Sequence, residues 1–248
     1  MVKFLSYILT SIYLLFFGLL LVIFHGIQWI FLKIGGRKGH DISVNALQFS
    51  LMRCHHILGT HYTLKNPYKL EANRPLIIVS NHQSMNDISP LIWLFRKHHP
   101  RFISKKELGK GIPSISFNLR HGGAALIDRN DPKQAISEII RFGKFINENN
   151  FAAIIFPEGT RSRTGVPKPF KTKGLNVLFK YIPDAQIVPV TINNSWKTTK
   201  YGKFPYGLGS HIKVEAHEPI NLRDYPKNKR EELLEHLEKT ITEHVIVD

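Results

Sequence analysis

Two short segments of this 248-residue chain carry residue types suited to chemistry. The first is Asn81-His82-Gln83-Ser84-Met85-Asn86-Asp87, where an aspartate follows a histidine by five residues. An aspartate at that distance can fold back across a turn, hydrogen-bond one imidazole nitrogen and fix the tautomer, which leaves the other nitrogen as a general base. Such a base takes a proton from an alcohol as the oxygen attacks a carbonyl. No G-x-S-x-G nucleophile elbow is present, so the attacking hydroxyl belongs to a substrate. The plainer reading makes His82 a turn residue and Asp87 a helix N-cap. The second segment is Phe156-Pro157-Glu158-Gly159-Thr160-Arg161-Ser162-Arg163. Gly159 allows backbone to come close to a ligand, and Arg161 and Arg163 supply planar donors suited to phosphate. Its plainer reading is a solvated basic turn in which Glu158 pairs with an arginine. Glu158 either serves the substrate or holds the loop.

Both segments follow apolar runs that read as strands, Leu76 to Ser80 and Ala152 to Phe156. Ligands of α/β proteins bind at the ends of such strands. Further strands are predicted at Arg101 to Ser104, Ala124 to Asp128, Ile187 to Ile192 and His211 to Glu215. An apolar helix containing Ile88, Leu91, Ile92 and Leu94 follows the His82 segment. Pro132 to Asn147 reads as a helix with Asp131 as N-cap, and Lys229 to Val245 as an amphipathic closing helix. Short apolar runs alternating with amphipathic stretches point to an α/β layer architecture. The Tyr201 to Gly209 stretch, rich in glycine and aromatics, is read as a surface loop, with a lipid-facing loop as the alternative.

Composition narrows the function classes. Thirty-four Lys plus Arg against 19 Asp plus Glu leave a formal charge of +15, which favours an anionic partner. With 43% hydrophobic and 11% aromatic residues the chain is no disordered polyelectrolyte. One cysteine, Cys54, excludes an intramolecular disulfide and a multi-Cys metal site. His55-His56, His61 and His98-His99 have no metal-motif spacing, so no metal is expected. Basic residues are not interleaved with aromatics as in RNA-binding motifs, so nucleic acid is not expected either.

No Asp, Glu, Lys or Arg occurs from Phe4 to Leu32. As a helix this run would extend roughly 44 Å, beyond the roughly 30 Å hydrocarbon core, so it spans with tilt or bends near Gly18 or Gly26 and lies in the interface. Such a run is too long for the apolar part of a cleaved signal peptide. If it spans, Lys33, Arg37, Lys38 and Arg53 outweigh Lys3 on the opposite flank and place the main domain in the cytoplasm. The Gly35, Gly36 and Gly39 cluster marks the expected boundary between an N-terminal helical segment, 1–38, and the main domain, 39–248.

Taken together the two segments resemble the glycerolipid acyltransferase family that contains the 1-acylglycerol-3-phosphate (lysophosphatidic acid) acyltransferases. That family's N-H-x-x-x-x-D block matches Asn81 to Asp87, and its F-P-E-G-T-R-S block matches Phe156 to Ser162 without departure. Its K-x-x-L and G-x-x-x-I-D-R stretches are found at Lys105 to Leu108 and Gly123 to Arg129, and its V-P-V strand at Val188-Pro189-Val190. The resemblance implies His82 and Asp87 as catalytic residues, and Glu158, Gly159, Arg161, Lys105 and Arg129 around an acceptor phosphate. It implies Val188, Pro189 and Val190 on the acyl-donor side. Two places depart from the family wording: Ala124 and Ala125 replace bulkier residues, and Phe170-Lys171-Thr172-Lys173-Gly174 is one residue longer than F-K-x-G, so Lys171 and Lys173 receive no role.

The implied fold is an α/β glycerolipid acyltransferase fold, a central mixed sheet flanked by helices, with the apolar segment as membrane attachment. The implied reaction moves a fatty acyl group from a thioester, acyl-CoA or acyl carrier protein, to the sn-2 hydroxyl of lysophosphatidic acid, and needs no cofactor. Backbone amides near Gly159 or at the His82 turn are candidates for holding the oxyanion, without individual assignment. The alternative acceptor is another lysolipid such as a lyso-ornithine lipid. From other classes, the rivals are a phosphatase or lipid hydrolase and a non-catalytic, basic, membrane-tethered binding protein.

Overall fold

The computed structural model describes residues 2–247. Leu76–Ser80 (β2) is buried at every position, and its side chains alternate between two apolar layers: Ile77 and Val79 join one, Leu76 and Ile78 the other. A strand apolar on both faces belongs in the middle of a covered sheet. β2 lies there, in the order β1-β7-β6-β2-β5-β3-β4, with β1 at His61–Lys65, β3 at Pro100–Lys105, β4 at Ala125–Ile127, β5 at Ala152–Ile155, β6 at Gln186–Asn193 and β7 at His211–Ala216. A short β8, Ile220–Asn221, pairs with the start of β6. Strands β6, β2, β5, β3 and β4 run parallel, while β7 runs antiparallel to β6 and parallel to β1, so the sheet is mixed as expected.

Helices cover both faces. On one, α4 (Pro132–Asn149), α5 (Thr172–Tyr181) and α6 (Arg230–Glu243) pack Phe142, Ile146, Leu178 and Leu237 on Ile77, Val79 and Ala153. On the other, α2 (Ile88–Leu94) brings Leu91 and Ile92 against Ile78, Ile154 and Val190. A short α3, Ile115–His121, lies between β3 and β4. Asp131 caps α4, accepting from the amides of Lys133 at 3.1 Å and Gln134 at 3.0 Å, with Pro132 in the first turn.

Pro189 stands mid-strand in β6, where a missing N–H ordinarily breaks a ladder. The outer side of β6 is paired to β8 at 186–187 and to β7 at 190–193, so Pro189 occupies the gap between the two partners. Its carbonyl still accepts from His217 N at 2.9 Å.

The N-terminal segment differs from a simple single span. Helix α1 (Val2–Cys54) breaks at Gly36, whose φ of 55° and ψ of −144° are non-helical, and the chain folds back as a hairpin of two limbs, 2–35 and 37–54. Gly39 makes the return possible, since a Cβ there would lie 2.4 Å from the Phe31 carbonyl oxygen. The expected division at residue 38 thus falls on the turn of this hairpin, and the second limb belongs with the first as much as with the domain. Limb one buries a single stripe, Ser6, Thr10, Tyr13, Leu21 and Gln28, and leaves Phe4, Ile8, Leu15, Leu19, Val22 and Ile30 exposed. Leu47 and Leu51 of limb two pack on Leu21. Asp41 of limb two ties the hairpin to the sheet: its carboxylate takes Arg101 Nη2 at 2.7 and 2.9 Å and lies 2.7 Å from His99 Nδ1, with Asp41 and Arg101 both buried.

Candidate active site

Parallel strands place their C-terminal ends on one edge. There β2 delivers His82, β5 delivers Phe156 to Arg163, β3 ends at Lys105, and β4 is followed by Arg129. Sequence-distant residues are assembled there by strand order alone.

The chain leaves β2 through Asn81, whose side-chain amide imitates a strand neighbour: its Oδ1 accepts from Ile192 N at 2.7 Å and its Nδ2 donates to Ile192 O at 2.8 Å. The turn after it is organised by Asp87, which is fully buried. Asp87 Oδ2 lies 2.8 Å from His82 Nδ1 and accepts from the amides of Gln83 at 2.7 Å and Ser84 at 2.9 Å. The two readings of the heptad therefore hold together, since Asp87 closes a capping box with Ser84 and also orients the imidazole. With Nδ1 engaged by the carboxylate, Nε2 has no protein partner among the described residues. The ring lies flat on Phe156, 4.0 Å between centroids and 12° from parallel.

Glu158 is buried at 2% exposure and holds two backbone amides, His82 N at 2.7 Å and Lys168 N at 3.0 Å. Burial raises its pKa above the ordinary carboxylate value, against the two amide bonds that lower it. Of the two roles left open for Glu158, the structure shows the one that holds the loop. Each carboxylate oxygen accepts from one backbone amide. Ser162 N donates to His82 O at 2.7 Å, so the loop after β5 is stitched to the His82 turn from both sides. Gly159 has a φ of 71°, where a side chain is strained, and the Lys171 stem lies across it, its Cδ 3.4 Å from the place of a Cβ. Lys171, left without a role in the sequence, is thus beside the Glu158–Arg161 turn.

The cations are free. Lys105, Arg129, Arg161 and Arg163 take part in no ion pair among the described residues. Desolvation holds the Arg129 guanidinium below its ordinary value, with Glu107 opposing and the Arg161 charge adding to the shift, so the two arginines feel one another. Cations that form no ion pair at the ends of parallel strands leave their donors open to an anion. The amides of His82, Gln83, Ser84 and Gly159 are engaged internally, so these four are not the ones open to an oxyanion at the two turns. Val188, Pro189 and Val190 are buried in β6, with Val190 in register with Ser80 at the end of β2. Sequence reasoning missed Gln83, whose Oε1 accepts from Ser195 N at 2.9 Å, and Tyr206, whose hydroxyl donates to Met85 Sδ at 3.5 Å. Neither has a short-range pattern to reveal it.

The family model described as Acyltransferase matches residues 61–193. The 1-acyl-sn-glycerol-3-phosphate acyltransferase of Cocos nucifera is 28% identical over 74% of this chain and 59% of its own. The 1-acyl-sn-glycerol-3-phosphate acyltransferase beta of Homo sapiens is 29% identical over 75% of this chain and 65% of its own. A Helicobacter pylori relative of the same name is 38% identical over 49% of each chain. This chain thus spans less than two thirds of the length of these relatives. The crystal structure of the 1-acyl-sn-glycerophosphate (LPA) acyltransferase PlsC from Thermotoga maritima superposes with a TM-score of 0.80 at 24% identity, covering 98% of this chain and 95% of that one, and shares its fold. The family match spans more than half of the chain, from β1 to the end of β6, and contains His82, Asp87, Lys105, Arg129, Glu158 and Arg161: the chain belongs to the acyltransferase family.

Proposed function

We propose that this chain is a 1-acylglycerol-3-phosphate O-acyltransferase that forms phosphatidic acid from lysophosphatidic acid and an acyl thioester. The observation that carries the reading is the juxtaposition at one sheet edge of an Asp87-oriented imidazole with unpaired Arg161 and Arg129. Relatives bearing that activity in their names support it. His82 Nε2 takes the proton of the sn-2 hydroxyl as its oxygen attacks the thioester carbonyl carbon. The C–S bond then breaks, and the departing sulfur leaves as the thiol with the proton returned from the imidazolium, whose positive charge the Asp87 carboxylate stabilises. Arg161, Arg129 and Lys105 hold the acceptor phosphate and turn a bimolecular encounter into an oriented one. No cofactor enters these steps, and the donor is acyl-CoA or acyl carrier protein.

The exposed apolar face of limb one rests in a bilayer, and a helix that packs one stripe on the domain along its length lies beside the domain rather than apart from it. The site faces the cytoplasm, because the basic residues around the bend, Lys33, Arg37 and Lys38, favour the anionic cytoplasmic leaflet.

The test is acyl transfer by the detergent-purified chain, following thiol release and diacyl product together, with acyl-CoA and acyl carrier protein donors and a lysolipid panel. Phosphatidic acid formation that His82→Ala abolishes supports the assignment. A preference for a lysolipid without phosphate would move the acceptor, ester loss would make the chain a hydrolase, and lipid retention without turnover would make it a binding protein.

A further inference from the structure

The Tyr201 to Gly209 stretch after β6, a surface loop by sequence, is firmly built and seated on limb one. Gly202 N and Gly207 N donate to Thr199 O and Thr198 O at 2.9 Å each, and Gly209 N donates to Leu58 O at 2.9 Å. A Cβ at Gly207 would lie 2.0 Å from the Lys197 carbonyl oxygen, so the loop closes on itself without slack. Its inner side is clamped to limb one. Tyr206 N donates to Thr10 Oγ1 at 2.9 Å, and Ser6 Oγ donates to Tyr206 O. Ser6 and Thr10 are fully buried, so two hydroxyls one turn apart on limb one are spent on this loop.

The outer side is open. Tyr201 and Phe204 are 38% and 46% exposed, and the Phe204 ring meets Tyr7 of limb one edge-on at 5.4 Å. Tyr7 is itself exposed beside Phe4, Ile8 and Ile12, so loop and helix present one apolar surface. Lysines surround it. Lys200 and Lys3 lie 5.1 and 5.9 Å from the Tyr201 ring centroid, Lys197 and Lys203 belong to the same loop, and no Asp or Glu occurs between Asp184 and Glu215.

We propose that the Tyr201–Phe204 tip is a second lipid contact, seated in the headgroup layer of an anionic bilayer beside the exposed face of limb one. Rigid exposed aromatics mark an interaction site, aromatic rings favour the membrane interface, and lysines near an anionic surface add attraction. The loop also reaches inward, because Tyr206 packs on Tyr13 at 5.5 Å and bonds Met85 in the His82 turn. The seat of the loop therefore sets the height of His82 above the lipid. This inference rests on the membrane reading above.

An environment-sensitive fluorophore on Phe204→Cys, with the same label on Leu15→Cys in limb one, separates the two readings. Cys54 is buried, and the labelled parent chain serves as its blank. The full-length chain is reconstituted in phosphatidylcholine vesicles with and without phosphatidylglycerol. Expected are a blue shift and loss of aqueous quenching at both positions, larger at 204 with phosphatidylglycerol. Replacing Lys197, Lys200 and Lys203 together with Gln should remove that lipid dependence. A buried label at 15 with a water-exposed label at 204 overturns this proposal alone. Water exposure at both overturns it together with the membrane reading. A shift at 204 that follows protein concentration rather than lipid gives the face to a second copy of the chain and overturns it as well.

Discussion

At the His82 turn, Asp87 Oδ2 gathers three donors within 2.9 Å, whereas across the same sheet edge Arg161, Arg129 and Lys105 form no ion pair among the described residues. The first region engages its imidazole with a carboxylate of the chain, and the second leaves its cations to be engaged from outside. A base must be aimed before substrate arrives, and internal hydrogen bonds do the aiming. A cation that binds phosphate must keep its donors unspent, at the cost of mutual repulsion that the anion relieves. Glu158 stands between the two regions and belongs with the first.

The variants expected to separate these regions run from large effects on turnover to small effects on stability. His82→Ala should lower kcat toward the upper end of the about 10² to 10⁴-fold range of general-base catalysis, with acceptor KM little changed. Unchanged turnover would end the general-base assignment. Asp87→Asn should cost about 10² in kcat. Because it also weakens the turn around Gln83 and Ser84, the melting temperature should fall with it, and an isolated loss of melting temperature would make Asp87 structural only. Arg161→Ala should raise acceptor KM about 10 to 100-fold, the loss expected for charge-assisted bonds to phosphate, and leave kcat less affected. A drop in kcat at constant KM would place Arg161 with the aimed group instead.

Glu158→Gln should act least on turnover and most visibly on pH dependence. Its folded-state pKa is raised by burial, so between the ordinary carboxylate value and the raised one the folded state binds more protons than the unfolded state. Stability should therefore fall as pH rises through that window, and Glu158→Gln should remove this slope in denaturant titrations. An unaltered slope would show that Glu158 does not carry it.

The sheet was legible where at least one side of a strand carries a run of buried apolar residues. β2 falls where the sequence puts it, and β3, β5, β6 and β7 within one or two residues of it. β1 escaped because its residues alternate between exposed and half-buried on an edge, so no apolar run announces it. α5 escaped because a lysine-rich start hides its stripe of Leu175, Leu178 and Phe179. The site was legible as two local patterns, and the packing of Glu158 between them was not, since its partners His82 and Lys168 lie 76 and 10 residues away. The hairpin was half legible. A glycine cluster says that a helix can stop, and only the contact of Gly39 with Phe31 says that it turns back.

The Asp41–Arg101–His99 cluster fixes more than position. A flexible leash would hold a domain near a surface while leaving it free to tumble, and each encounter with a lipid would have to find the right attitude. A doubly bonded, buried carboxylate between limb two and β3 removes that freedom and makes the hairpin a strut. On a bilayer, the search for an acceptor then loses its rotational part and becomes diffusion in a plane beneath a site of constant bearing.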